Sequence, residues 1–198
     1  MPSHEFDSTY YERFYGRGTV HTMSQIGKLA TGVHALASWW GVDVRSFLDV
    51  GAGPGYWRDW YRTNHPKVKV MSTDVSDYAC RTFGHKHADI STWTPSRRYD
   101  LVVCHSVLQY LDNAAARSAV GNLAAACRHF LYLEIPTSAD FDDVVDPSST
   151  DMSVHRRTGT WYRRALGEHF RQIGGGLWLS RESTVPMYEL EMPSGDRR

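Results

Sequence analysis

The chain has little of what staples or anchors a protein. Its 198 residues include three cysteines, Cys80, Cys104 and Cys127, odd in number, far apart and without a Cys-x-x-Cys pair. That excludes a disulfide framework and a cysteine zinc site, and leaves three free thiols. No apolar run approaches the ~20 residues of a membrane span, and the opening Met-Pro-Ser-His-Glu-Phe-Asp lacks the charged-then-apolar order of a secretory signal. A cytoplasmic protein is the expectation. Charge of neither sign is in excess: 22 Lys and Arg balance 22 Asp and Glu, so no strong electrostatic footprint for nucleic acid or an anionic membrane exists. What is present is 41% apolar content, enough for one compact domain with a sizeable core.

The chain is organised around Phe47-Leu48-Asp49-Val50-Gly51-Ala52-Gly53-Pro54-Gly55-Tyr56-Trp57. An apolar run ends in an acid, three glycines alternate with other residues, and a helical pattern begins. This is the signature of a buried parallel strand turning sharply into a helix. Alternating glycines let the backbone bend with positive φ or lie directly against a ligand, and the helix start adds unpaired N–H groups. The dinucleotide fingerprint Gly-x-Gly-x-x-Gly, read from Gly51, puts Tyr56 at its third glycine and is broken there.

What remains, Asp49-x-Gly51-x-Gly53-x-Gly55, resembles motif I of the class I S-adenosylmethionine (SAM) dependent methyltransferases. The resemblance implies a glycine turn lying under the methionine part of SAM, with Asp49 serving the cofactor's ammonium group. It also implies a doubly wound, mostly parallel seven-stranded α/β sheet with a C-terminal antiparallel hairpin.

Downstream, Val68 to Asp74 reads as a second strand ending in an acid, roughly 20 residues past the last glycine, where βαβ nucleotide sites place a ribose-binding carboxylate. Asp74 is therefore a candidate for the ribose hydroxyls, and Val75 for the adenine; an acid that merely forms a turn is the alternative. Asp89-Ile90 matches the family position where an acid receives the adenine amino group and an apolar neighbour covers the ring. His85, His87 and Asp89 also alternate along one extended segment, which leaves a metal cluster as a second reading.

Tyr99-Asp100-Leu101-Val102 followed by Ser106-Val107-Leu108-Gln109-Tyr110-Leu111 resembles the family's fourth strand and its loop. Ligands of open α/β sheets sit beyond the carboxyl ends of strands, so His105 and Ser106 should face the site. His105, with an ordinary pKa of about 6.5, is the candidate general base, or a histidine that only bonds the loop. A further strand, Phe130 to Ile135, places Glu134 at the rim. The acidic loop Asp140, Asp142, Asp143 and Asp146 reads as solvated or as a site for a cation. His155 and Arg156 precede the last helix, where the family often contacts substrate; His155 is the second candidate base.

The N-terminal segment carries Phe6, Tyr10, Tyr11, Phe14 and Tyr15, followed by Arg17. It reads as an arm packing rings on the domain surface or, by the resemblance, as a lid with Tyr11, Tyr15 and Arg17 reaching the cofactor. Apolar steps from Thr22 to Trp40 predict a helix, and Trp161, Tyr162, Leu166 and Phe170 predict another. Leu177 to Arg181 and Val185 to Met192 read as the terminal hairpin. The resulting division is an arm and helix over 1–40, a methyltransferase domain over 41–193 and a disordered tail over 194–198. The expected activity is transfer of a methyl group from SAM to a small-molecule acceptor, with no metal. A non-catalytic subunit holding SAM or S-adenosylhomocysteine (SAH), and a nicotinamide oxidoreductase, are the alternatives.

Overall fold

The computed structural model describes residues 6–16 and 21–193. A seven-stranded sheet runs through it in the order β3-β2-β1-β4-β5-β7-β6. Its strands are β1 (Ser46–Val50), β2 (Lys69–Asp74), β3 (Lys86–His87), β4 (Tyr99–His105), β5 (Cys127–Glu134), β6 (Phe170–Gly174) and β7 (Leu177–Ser180). The first five pair in parallel, while β7 runs antiparallel to both β5 and β6. This is the doubly wound mixed sheet that the sequence predicts.

The two-residue period of each strand sorts its side chains into two cores. Leu48, Val50, Val102, Cys104, Leu131 and Leu133 face one side, under α5 (Asn113–Ala126) and α7 (Gly159–Gly167). Phe47, Leu101, Val103, Phe130 and Tyr132 face the other, under α2 (Met23–Trp39) and α3 (Tyr56–Asn64). α2 starts in a capping box in which Thr22 Oγ1 accepts from Gln25 N and Gln25 Oε1 accepts from Thr22 N. Such a cap contributes about 1 kcal/mol and sets where the helix begins. Among the described residues no helix is long and apolar enough to cross a membrane.

The C-terminal hairpin exists but lies earlier in the chain than its alternating pattern predicts. Its strands are β6 and β7, and Gly175-Gly176, both at positive φ, form the turn between them. Phe170, predicted to close a helical stripe, opens β6, because α7 stops at Gly167. Val185 to Met192 is not a strand; it ends in a 3-10 turn at Glu189–Glu191 that ties Trp40 Nε1 to Glu191. Alternation alone does not make a strand without a neighbour to pair with, and β6 is already the sheet edge. The predicted disordered tail, 194–198, lies outside the described residues.

Candidate functional site

The turn after β1 is built from backbone that L side chains rarely adopt. Gly51, Gly53 and Gly55 have φ of 64°, 54° and 83°. At Gly51 space forbids a side chain as well, since a Cβ there would lie 2.3 Å from Val107 Cγ2. Gly53 is held at both ends of its peptide unit. Its N–H donates to Asp74 Oδ2 at 2.8 Å, and its carbonyl accepts from His85 Nε2 at 2.9 Å. His85 is buried, and its Nδ1 lies 2.8 Å from Ser72 Oγ and 3.1 Å from Arg58 Nη1. Burial and the Arg58 guanidinium push its pKa down, so it is neutral, with the proton assigned to Nε2 by the Gly53 carbonyl. His85 is therefore a strut of the glycine turn. His87 instead faces Asp77 at 3.5 Å and Asp89 Oδ1 accepts from Ser91 N, so the His85, His87, Asp89 metal reading does not hold.

Asp49 lies beneath the turn at 2% exposure, accepting from Arg58 N at 3.2 Å. Burial pushes its carboxyl up to about 7, more than that N–H and the nearby His105 and Arg58 pull it down. The group is a buried acid short of a cation. Asp74 spends one oxygen on Gly53 N and the other on Ser76 N, each at 2.8 Å. Val75 beside it is half-exposed, whereas Ile90 is packed into the core under α5.

An arm, α1 (Ser8–Tyr15), lies across this turn. The Phe6 carbonyl accepts from Ser76 Oγ, Tyr11 packs on Tyr78 and Phe83, and the Tyr15 ring stands beside Gly53. Tyr10 and Tyr110 hydroxyls hydrogen-bond at 2.8 Å. Tyr11 and Tyr15 both stand near Gly53; Arg17 lies outside the described residues.

Beyond the carboxyl ends of β1, β4 and β5 opens a cavity of about 770 Å³ whose wall includes Asp49, Gly51, His105, Ser106, Gln109 and Glu134. Ser106 has φ 57°, rare for a non-glycine residue, and its N–H donates to the Glu134 carbonyl. Such local strain persists where neighbours over-determine the backbone, and it clusters at functional sites. Asp74, Val75, Asp89, Ile90 and His155 are not part of this wall. His155 gives its backbone N–H to the Gln109 carbonyl.

His105 is in place but its neighbours change its chemistry. Trp57 Nε1–H donates to His105 Nδ1 at 3.2 Å, which assigns the imidazole proton to Nε2. Nε2 points to Glu134 Oε1 at 3.2 Å, off the line of a well-formed hydrogen bond. In this state His105 is a donor rather than a free base. Tyr132 OH donates to Glu134 Oε2 at 2.5 Å, and contacts with His105 and Tyr132 outweigh burial and hold the Glu134 carboxyl down near 2. His21 Nε2 stands 3.8 Å from Glu134 Oε1. His21, His105 and Glu134 are close enough to share a metal ion. The outer shell opposes it: a histidine bound through Nε2 carries its proton on Nδ1 and needs an acceptor there, but Trp57 presents a donor.

Trp57, His85, Gln109 and His21 are site residues that sequence reasoning assigned to the core, the surface or no role. No local pattern marks them, because each acquires its role from a partner more than 25 residues away or from the cavity itself.

The sequence model of a family described as a methyltransferase domain matches residues 21–175. The chain belongs to this family. Among curated proteins, the methyltransferase domain is 27% identical over 132 residues to a trans-aconitate 2-methyltransferase from Methylobacterium radiotolerans, covering 63% of this chain and 48% of that one. The chain therefore spans about half the length of that relative. Among solved structures it resembles Streptomyces venezuelae DesVI, with TM-score 0.63, 15% identity and coverage of 87% of this chain and 94% of that one. It also resembles the N-methyltransferase NodS from Bradyrhizobium japonicum WM9 in complex with SAH, with TM-score 0.56, 17% identity and coverage of 78% and 87%. At these identities the structural likeness speaks for the fold, and the family match begins at residue 21, after the arm.

Proposed function

We propose that the protein transfers the methyl group of SAM to a small-molecule acceptor held in the cavity. The observation that carries this reading is the turn itself: glycines at positive φ, bonded to Asp74 and His85, lead from a buried, cation-deficient Asp49 to an open cavity. The residues present fit SAM. Asp49 offers its carboxylate to the ammonium group, the bare backbone of Gly51 and Gly53 admits close approach, and Asp74 with Val75 takes the ribose and adenine end. The trans-aconitate enzyme and SAH-bound NodS make the same cofactor the economical choice here.

When bound, SAM supplies a methyl group already activated by a positive sulfonium. The chain's own work is then to hold the acceptor atom about 3 Å from that methyl, with the bonds in line and water excluded. His105 and Ser106 shape the floor at the end of β4. The arm serves as a lid over the cofactor, joined to the domain at Ser76 and Tyr110. We keep Asp89 and Ile90 as candidates for the adenine, and His155 for a substrate contact.

Calorimetric titration with SAM and SAH, beside Asp74→Ala, tests the reading. Micromolar binding that the substitution weakens at least tenfold supports it. No binding of either compound by the wild-type chain overturns it.

A further inference from the structure

Resting on that reading, we infer that the methyl acceptor is an amine that enters the cavity as a cation, with the Glu134 carboxylate as its counter-charge. The register of the sheet separates the two halves of the site. The cofactor turn follows β1, whereas Glu134 ends β5, two strands further along and so about 10 Å away. Glu134 therefore belongs to the acceptor side.

Among the described residues no lysine or arginine pairs with it. The groups among them that approach the carboxylate are the Tyr132 hydroxyl, His105 and His21. The Trp57 N–H donates to His105 Nδ1, which leaves Nε2 to face Glu134. Burial pushes the pKa of His21 down. Among the described residues of the cavity wall there is no lysine or arginine. With its side chain 42% exposed, Glu134 still presents the ionised group to the cavity.

Three acids of the following loop line the same cavity but are engaged by hydrogen bonds. Asp140 accepts from Thr137 N and Oγ1, Asp146 from Ser148 and Ser149, and Asp151 from Ser153 N. Asp140 and Asp146 are held by their own turns, and Asp151 also hydrogen-bonds the Tyr110 hydroxyl.

A second observation points to a ligand with N–H groups. Gln109 lies on the cavity wall at 4% exposure, and its Oε1 is buried without a hydrogen-bond partner. A buried amide oxygen left unpaired costs about 1–3 kcal/mol, so a donor supplied by a ligand is the natural complement. Tyr10, Tyr15, Trp57 and Tyr110 add aromatic surface to the same wall, and ring faces attract cations.

The chemistry balances. The bound ammonium first loses one proton to solvent past Glu134. The amine lone pair then forms the N–C bond to the methyl carbon while the C–S bond breaks, its electron pair staying on sulfur. The positive charge passes from sulfonium to the methylated ammonium, and the site's negative field is kept satisfied throughout.

The test compares two probes that share a phenol ring and differ in charge, tyramine and 3-(4-hydroxyphenyl)propionate. Each is titrated into the SAH-saturated protein and followed by ligand-observed NMR. The expected result is tyramine binding at millimolar concentration or better, at least tenfold preferred over the acid, and weakened at least tenfold in Glu134→Gln. The SAH affinity of the variant serves as the check that it folds. Equal binding of the two probes, preference for the acid, no tyramine binding, or tyramine binding that Glu134→Gln leaves unchanged overturns the inference. All four outcomes leave SAM and SAH binding, and with it the methyltransferase reading, standing.

Discussion

The Gly53 N–H and the Asp74 carboxylate, 21 residues apart, are joined by a 2.8 Å hydrogen bond, so the glycine turn and the end of β2 form one unit. The other Asp74 oxygen accepts from Ser76 N at the same distance. Both oxygens are acceptors for backbone donors, which only a carboxylate can provide.

Asp74→Asn should therefore be no gentler than Asp74→Ala. The amide –NH₂ would face Gly53 N–H or Ser76 N–H, donor against donor. A loss of about 1–3 kcal/mol in urea unfolding is expected, together with SAM binding weakened at least tenfold. An Asn variant with wild-type stability and affinity would show that these two bonds do not shape the turn.

His85 acts on the cofactor only through Gly53. Its replacement by alanine removes the support under the Gly53 carbonyl and leaves Arg58 and Ser72 short of a partner. The expected outcome is a fall in SAM affinity of about tenfold or more, with a smaller effect from His85→Gln, whose amide can still donate to the carbonyl. Indifference of SAM affinity to both changes would reduce His85 to core filling.

Asp49 makes cofactor binding depend on pH. Its carboxyl in the folded chain titrates at about 7, above the unfolded value of 3.8. A raised carboxyl favours the protonated folded state, so the stability it contributes is present below about pH 4 and is lost as pH rises through 7. A cofactor ammonium beside it restores the ionised form. SAM binding near pH 6 should therefore release close to one proton, falling towards none above pH 8. Calorimetry in buffers of different ionisation enthalpy reads this directly, and Asp49→Asn should abolish the release.

Gly51→Ala meets two obstacles at once, a φ of 64° and Val107 Cγ2 at 2.3 Å from the new methyl group. A destabilisation of about 2 kcal/mol or more is expected from the left-handed backbone and the overlap together. Val107→Ala in the same chain should recover the steric part and leave the backbone part. Full recovery would mean that the turn tolerates an L side chain.

Much of this could be read directly from residues. β1, β4 and β5 are legible because strands buried on both faces carry apolar runs, β2 because it ends in an acid at the spacing of a βαβ nucleotide site, and the Asp49–Gly55 turn because positive φ demands glycine. Such signals are local, set by steric limits within a few residues. The hairpin was displaced in the sequence reading because Phe170 satisfies a helical step and a strand start equally well, and only pairing with β7 decides between them.

The chemistry of the site was decided by tertiary structure. His105 stands where its position after β4 predicts, yet its proton is placed by Trp57, 48 residues earlier, and its partner Glu134 by the β4–β5 register. His85 reads as a surface histidine until the fold brings Gly53 to its Nε2. By itself the sequence determined β1, β2, β4 and β5, the turn and the family. Only the folded chain determined which titratable groups carry charge and what they face, because burial and hydrogen-bond partners, which set protonation, are properties of the packed molecule.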